Sequence, residues 1–172
     1  MRILSAIRKG LDRALEALVV IVMAVLVLDV SWQVFTRFIL RDPSTWTDEL
    51  ATFLLIWVSL LGAAVALKRK AHLGMDYFVG RLGPRNRLRV QVFAYICTGL
   101  FSLSVMIVGG ATLVARKLQL QETSPALGVD LGYVYLALPI SGFFLTVYSI
   151  ELLAGSIATW SKTGPPEVGK SE

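Results

Sequence analysis

The chain has 172 residues, of which 55% are hydrophobic and only 17% are charged, and its formal net charge is +5. Soluble domains carry about 25% charged residues, so this composition argues against a water-soluble enzyme and excludes a disordered chain. The single cysteine, Cys97, and the single histidine, His72, exclude a disulfide scaffold, a Cys/His zinc site and a bis-histidine haem within one chain.

Four apolar segments are long enough to cross a bilayer, which takes about 20 residues of helix. Their apolar runs are continuous rather than alternating, which argues against membrane strands. In chain order we predict an amphipathic N-terminal segment (1–13), a first span (14–40), a loop (41–47), a second span (48–67), a basic loop with a short interfacial helix (68–89), a third span (90–115), a loop (116–130), a fourth span (131–156) and a tail (157–172).

The N-terminal segment has helical periodicity, with apolar residues on one face and basic residues elsewhere, which is typical of a helix lying on a membrane surface. Residues 75–82 repeat this pattern in the basic loop. A frayed helix end and a solvated loop are the alternatives. A cleaved signal peptide also fits the basic start, but the apolar run continues past Asp29 to Leu40 without an A-x-A pair, so we predict a retained span.

Lys and Arg residues lie almost entirely on one side of the predicted spans. The exceptions among the 17 are Arg37, Arg41, Arg116 and Lys117. Because positive loops stay in the cytoplasm, we predict cytoplasmic termini and a cytoplasmic middle loop, with loops 41–47 and 116–130 facing outward. The predicted fold class is an all-α membrane protein with four transmembrane helices and amphipathic interfacial helices, and no nucleic-acid partner is expected.

The first span carries polar residues on one predicted face, at Asp29, Gln33 and Arg37. A charge in the middle of a span costs at least about 2.5–3.5 kcal/mol, so a charged residue there is expected to have a specific partner or function. We favour a polar seam against another helix over a proton or ion relay, because no other span carries an acid in its middle. Trp57 and the small residues Gly62 and Ala66 are candidate helix contacts in the second span.

The second span is expected to begin with a capping box, Thr45-x-x-Asp48, and with acids that suit the helix dipole. Basic residues near its other end are candidate contacts for lipid headgroups. These are Lys68, Arg69, Lys70, His72 and Arg81. His72 is also open to a role as a pH sensor.

Motifs of enzymes do not occur: the sequence contains no G-x-S-x-G, Walker or H-E-x-x-H pattern. We therefore expect neither catalysis nor a cofactor, a metal or any other prosthetic group.

Two stretches carry residues in a distinctive order. Residues 36–82 contain Arg37-Phe38, Trp46, Glu49, Trp57, Leu61-Gly62-Ala63, a basic run before His72, and Asp76. Residues 123–142 contain Ser124-Pro125-Ala126-Leu127-Gly128, Tyr135 and Pro139. In order, spacing and four-span length the chain resembles the small membrane (Q) subunit of TRAP (tripartite ATP-independent periplasmic) transporters, the DctQ type.

The resemblance implies a role in uptake of an organic acid across the bacterial inner membrane. In such systems a periplasmic binding protein (P) captures the substrate and docks on the membrane subunits. The large subunit (M) holds the substrate and sodium sites and moves, whereas the small subunit forms part of a static scaffold. On this basis Arg41, Asp42, Asp48 and Glu49 become candidate contacts for the docked binding protein.

Two other functions stay open from the residues alone. One is an independent channel or carrier, for which the face bearing Asp29, Gln33 and Arg37 is the candidate lining. The other is an anchor subunit of a different membrane complex, such as an electron-transfer enzyme.

Overall fold

The computed structural model describes the backbone of residues 2–41, 44–69 and 84–162, and the side chains of residues 10–41, 44–69 and 88–157. These parts are almost entirely helical. The helices are α1 (Arg2–Phe35), α2 (Thr45–Lys68), α3 (Pro84–Phe101), α4 (Gly110–Gln119), α5 (Leu131–Tyr135) and α6 (Ala137–Lys162). A π-helical turn, Thr36–Leu40, extends α1, and a longer π-helical segment, Ser102–Gly109, joins α3 to α4.

Four helical segments are long and apolar enough to span a membrane, which confirms the predicted all-α class with four spans; the amphipathic interfacial helices stay a prediction. The four segments comprise Gly10–Leu40, Thr45–Lys68, Leu88–Gln119 and Leu131–Ile157, and are called the first to fourth spans below. The N-terminal segment continues into the first span as one helix from Arg2. The predicted interfacial helix in the middle loop and the tail from residue 163 lie outside the described residues.

The spans pack in a row whose order differs from their order in the chain. The first span packs on the second, the second on the fourth, and the fourth on the third. Within the described ranges, the backbone of the third span approaches neither the first nor the second within 8 Å. The row is therefore one helix thick, and its two central members are the second and fourth spans.

The core lies where the second and fourth spans meet their neighbours. Leu61 and Ala64 of the second span have no exposed surface, and Tyr148 of the fourth is 3% exposed. The fourth span is the most enclosed of the four, and like the second span it contacts two neighbours. Large apolar side chains elsewhere face outward, as is normal for helices bathed in lipid; examples are Leu28, Phe38, Phe93 and Leu100.

Small residues let the third and fourth spans approach closely. A Cβ atom added to Gly142 would lie 2.7 Å from the Cβ of Met106 and 3.2 Å from the carbonyl oxygen of Ser102, both in the π-helical segment. The hydroxyls of Ser102 and Thr146 lie 2.8 Å apart across the same contact. Close backbone approach with hydroxyl bridging is the usual way in which membrane helices associate.

Candidate functional site

Polar side chains connect three of the spans at one end of the helices, near the start of the first span. Lys68 of the second span lies 3.0 Å from Asp12 Oδ2 and 3.2 Å from Glu16 Oε1, and Arg69 lies 3.0 Å from Glu16 Oε2. The hydroxyl of Tyr148 in the fourth span donates to Asp12 Oδ1 at 2.7 Å. We call these five residues the ion-pair cluster. Single surface ion pairs contribute little to stability, but the ion-pair cluster is a network that links separate helices.

The cluster gives two predicted lipid-contacting residues partners inside the protein. Lys68 and Arg69 both pair with carboxylates of the first span, although the Arg69 side chain stays 63% exposed. Their role toward headgroups stays a prediction. The other candidates for that role, Lys70, His72 and Arg81, lie outside the described residues.

At the opposite end of the helices, a loop binds a carboxylate of the second span. Glu49 Oε2 accepts hydrogen bonds from the backbone N–H groups of Ala126 and Leu127, at 3.0 and 3.1 Å. The loop is closed upon itself, because Ser124 donates its N–H to Val129 and accepts that of Gly128 on its carbonyl. We call this contact the loop clasp. It binds the second span to the segment that leads into the fourth.

The positive φ of Gly128, 65°, shows why a glycine occupies this turn of the clasp. The residues from Ser124 to Gly128 are the same ones that carry the resemblance noted in the sequence. The backbone N–H groups of Ala126 and Leu127 contact Glu49, and the side chain of Ser124 also interacts with its carboxylate.

The predicted capping box at the start of the second span is wrong. The helix begins at Thr45, so Ser44 is the N-cap residue, and no side chain caps it. The carboxylate of Asp48 instead accepts a hydrogen bond from the Gln33 side chain in the first span.

Two predicted contacts for a binding protein, Asp48 and Glu49, thus have partners within the chain. Arg41 is exposed with φ of 55°, and Asp42 lies outside the described residues.

The polar face of the first span turns toward the second span over part of its length. Asp29 is only 8% exposed, and its Oδ2 has no hydrogen-bond partner within the described part of the chain. Thr36, rather than Arg37, continues the buried face, because residue 37 lies about 80° around the helix from residue 29 at 100° per residue. Arg37 is exposed, so its role as a subunit contact stays a prediction.

The three helix-contact candidates of the second span differ in their surroundings. Trp57 is half-buried and packs against the core, and Ala66 is also half-buried. A Cβ atom added to Gly62 would meet no atom within 4 Å, so this glycine is not needed for a helix contact inside the chain. Among the described residues no group of three or more His, Cys, Asp or Glu side chains could hold a metal ion.

Sequence reasoning missed both polar ties. The signal for the ion-pair cluster was present: the acids Asp12 and Glu16 lie at the start of the first span, and the bases Lys68 and Arg69 lie at the end of the second. An antiparallel pair of helices places these positions side by side. The loop clasp had no comparable signal, since two of its donors are the backbone N–H groups of Ala126 and Leu127.

Comparison with known proteins gives consistent matches over most of the chain. The family described as "Tripartite ATP-independent periplasmic transporters, DctQ component" matches residues 26–159. The sialic acid TRAP transporter small permease protein SiaQ of Vibrio cholerae is 31% identical over 148 residues, which cover 86% of this chain and 84% of the relative.

Two further relatives carry similar names. The C4-dicarboxylate TRAP transporter small permease protein DctQ of Rhodobacter capsulatus is 26% identical over 66% of this chain and 50% of its own length. The isethionate TRAP transporter permease protein DctMQ of Oleidesulfovibrio alaskensis is 30% identical over 66% of this chain, but the match covers only 18% of that longer protein. Together with the four apolar spans, these matches show that the chain belongs to the DctQ family of TRAP transporter small permease subunits, multi-pass proteins of the bacterial inner membrane that take part in transport and are not enzymes.

Proposed function

We propose that this chain is the static scaffold partner of a large M subunit, in a transporter that takes up an organic acid with sodium coupling and a periplasmic binding protein. The observation that carries the proposal is that the spans are connected to one another at both ends of the helices. The ion-pair cluster joins the first, second and fourth spans at one end, and the loop clasp joins the second span to the fourth at the other.

Rigidity of the row follows from these ties and from the close packing between them. Gln33 of the first span and Asp48 of the second add a polar contact near the clasp. The third span is held by the approach of Gly142 to the π-helical segment. A subunit built in this way resists sliding between its own helices, which suits a support against which another subunit moves.

The broad apolar faces of the row supply the surface for the large subunit. Gly62 is the strongest candidate contact for the large subunit on the second span, because its open side permits close approach by a helix of another chain. The DctMQ relative is consistent with such a partnership, since the matching region is a small part of a longer permease protein.

We propose that both termini face the cytoplasm and that the ends of the helices beside the loop clasp face the periplasm. Arg41 then lies at the surface where a binding protein would dock, with its side chain exposed. Asp42, Asp48 and Glu49 remain further candidates, although the last two also serve internal contacts. The organic acid, whichever it is, contacts the other subunits in this proposal.

Locking the first two spans together tests the static role. Gln33→Cys and Asp48→Cys replace a hydrogen-bonded pair, and a short bifunctional thiol reagent would bridge them in a Cys97→Ser background. With the large subunit and binding protein reconstituted in liposomes, we expect sodium-driven uptake to continue at the unbridged rate. Single-cysteine variants treated with the same reagent are the control. Loss of uptake on bridging, restored by cleaving the bridge, would contradict a static role.

Dependence on the chain is tested separately. Liposomes with the large subunit and binding protein but without this chain should not transport, and the two membrane subunits should co-purify in mild detergent. Uptake by this chain alone would instead favour an independent carrier.

A further inference from the structure

An open groove runs between the first and second spans beside the ion-pair cluster. Its volume is about 530 Å³, and its rim carries charged side chains while its floor is apolar. The groove is lined by Arg13, Glu16, Ala17, Val19, Val20, Val65 and Arg69. Neither the sequence pattern nor the proposed scaffold role accounts for it.

Among the described residues that line the groove, Arg13 and Arg69 are positive and Glu16 is negative, which leaves one positive charge in excess. The carboxylates of Asp12 and Glu16 are matched by Lys68 and Arg69 through the ion pairs of the cluster. Arg13 adds a further guanidinium to the same rim and is exposed. A guanidinium offers a planar fork of N–H donors that matches the oxygens of a phosphate. The rim therefore suits a single monoanionic phosphodiester.

The floor of the groove continues from this rim toward the middle of the membrane. Ala17 and Val20 follow Arg13 at successive turns of the first span, so the wall extends about 10 Å below the arginine. Val65 forms the facing wall on the second span. A charged rim above an apolar channel has the polarity of one phospholipid molecule, with a headgroup at the membrane surface and an acyl chain beneath it.

We propose that this groove binds one anionic phospholipid, with its phosphate at Arg13 and Arg69 and an acyl chain along Ala17, Val20 and Val65. The lipid fills the space between the first two spans at the end where the ion-pair cluster already joins them. This inference rests on the groove itself and does not depend on the scaffold role.

Native mass spectrometry of the full chain in detergent, titrated with phosphatidylglycerol, tests the proposal. Arg13→Gln removes a phosphate contact, and we expect it to weaken binding of the first lipid about fivefold, the usual effect of one basic residue near an anionic lipid surface. Ala17→Leu fills the channel without changing charge and should also weaken it. Because Ala17 is exposed, this variant is expected to fold normally.

Matched controls lie on the third span, away from the groove. Arg116→Gln and Ala115→Leu make the same chemical changes at exposed positions and should leave binding unchanged. Inorganic phosphate should not compete, because it lacks the acyl chain. Equal binding by the groove variants and the controls would overturn the proposal. So would displacement of the lipid when the large subunit binds, since the groove would then be a protein contact.

Discussion

Replacement of Gly142 by alanine tests whether the third and fourth spans are held by direct backbone approach. The added methyl group would lie 2.7 Å from Met106 Cβ, 3.1 Å from Ile107 Cγ1 and 3.2 Å from the carbonyl oxygen of Ser102. The backbone fixes the positions of Met106 Cβ and the Ser102 carbonyl oxygen, so these two atoms do not move away when a side chain rotates. Gly62→Ala is the matched control, since its methyl group would meet no atom within 4 Å.

The size of the effect follows from two opposing terms. Exchange of glycine for alanine within a helix gains up to about 1 kcal/mol from helix propensity. Overpacking of a close contact costs about 1–3 kcal/mol. We therefore expect Gly62→Ala to be neutral or stabilising by up to about 1 kcal/mol, and Gly142→Ala to be less stable than Gly62→Ala by about 1–3 kcal/mol.

Thermal unfolding of the purified chain in mild detergent measures the difference. At about 2–4 °C per kcal/mol for a chain of this size, the two variants should differ by about 2–12 °C. The double variant with Met106→Gly, which removes the nearest opposing Cβ atom, should lose less stability than the sum of the two single changes. Equal melting temperatures for Gly142→Ala and Gly62→Ala would refute the close approach.

Three further outcomes are expected. Glu49→Gln should speed hydrogen exchange of the two loop amides that it accepts by about tenfold, because charge-assisted bonds become neutral ones, whereas Asp48→Asn should leave them unchanged; equal protection in both variants would argue against the clasp. Tyr148→Phe removes the hydroxyl that donates to Asp12 and should lower the free energy of unfolding by about 1 kcal/mol, measured by denaturation in mixed micelles; an unchanged value would show that this bond adds nothing. Gly62→Leu should leave the chain folded, by circular dichroism, but reduce its co-purification with the large subunit; full retention would exclude this face as the contact.

The helical spans were predictable because continuous apolar runs of this length leave few other structures in lipid. The order of the spans in the row was not. A helix that is apolar on every side carries no stripe that identifies its neighbour, so nothing in the pattern of residues 90–115 and 131–156 indicates that the fourth span lies between the second and third. That order depends on small residues such as Gly142, whose close contacts appear only in three dimensions.

The sequence did not indicate the surroundings of individual polar residues. The helical periodicity that grouped Asp29 with Gln33 identified residues on the side facing the second span, but it also included Arg37, which lies beyond the edge of that side. Glu49 stays a candidate contact for a binding protein, and its carboxylate also accepts backbone N–H groups from this chain, which the sequence did not indicate. Backbone donors are common to all non-proline residues, so a sequence does not reveal which loop supplies them.

The placement of the fourth span between the second and third has a consequence for biosynthesis. The first two spans pack together, so we expect them to form a hairpin once both have left the ribosome. The third emerges next, yet within the described ranges its backbone has no neighbour in that hairpin. We therefore expect the third span to have no packing partner within the chain until the fourth span is released and inserts between the second and the third. A nascent chain that stops after residue 119 would thus leave the third span without its partner.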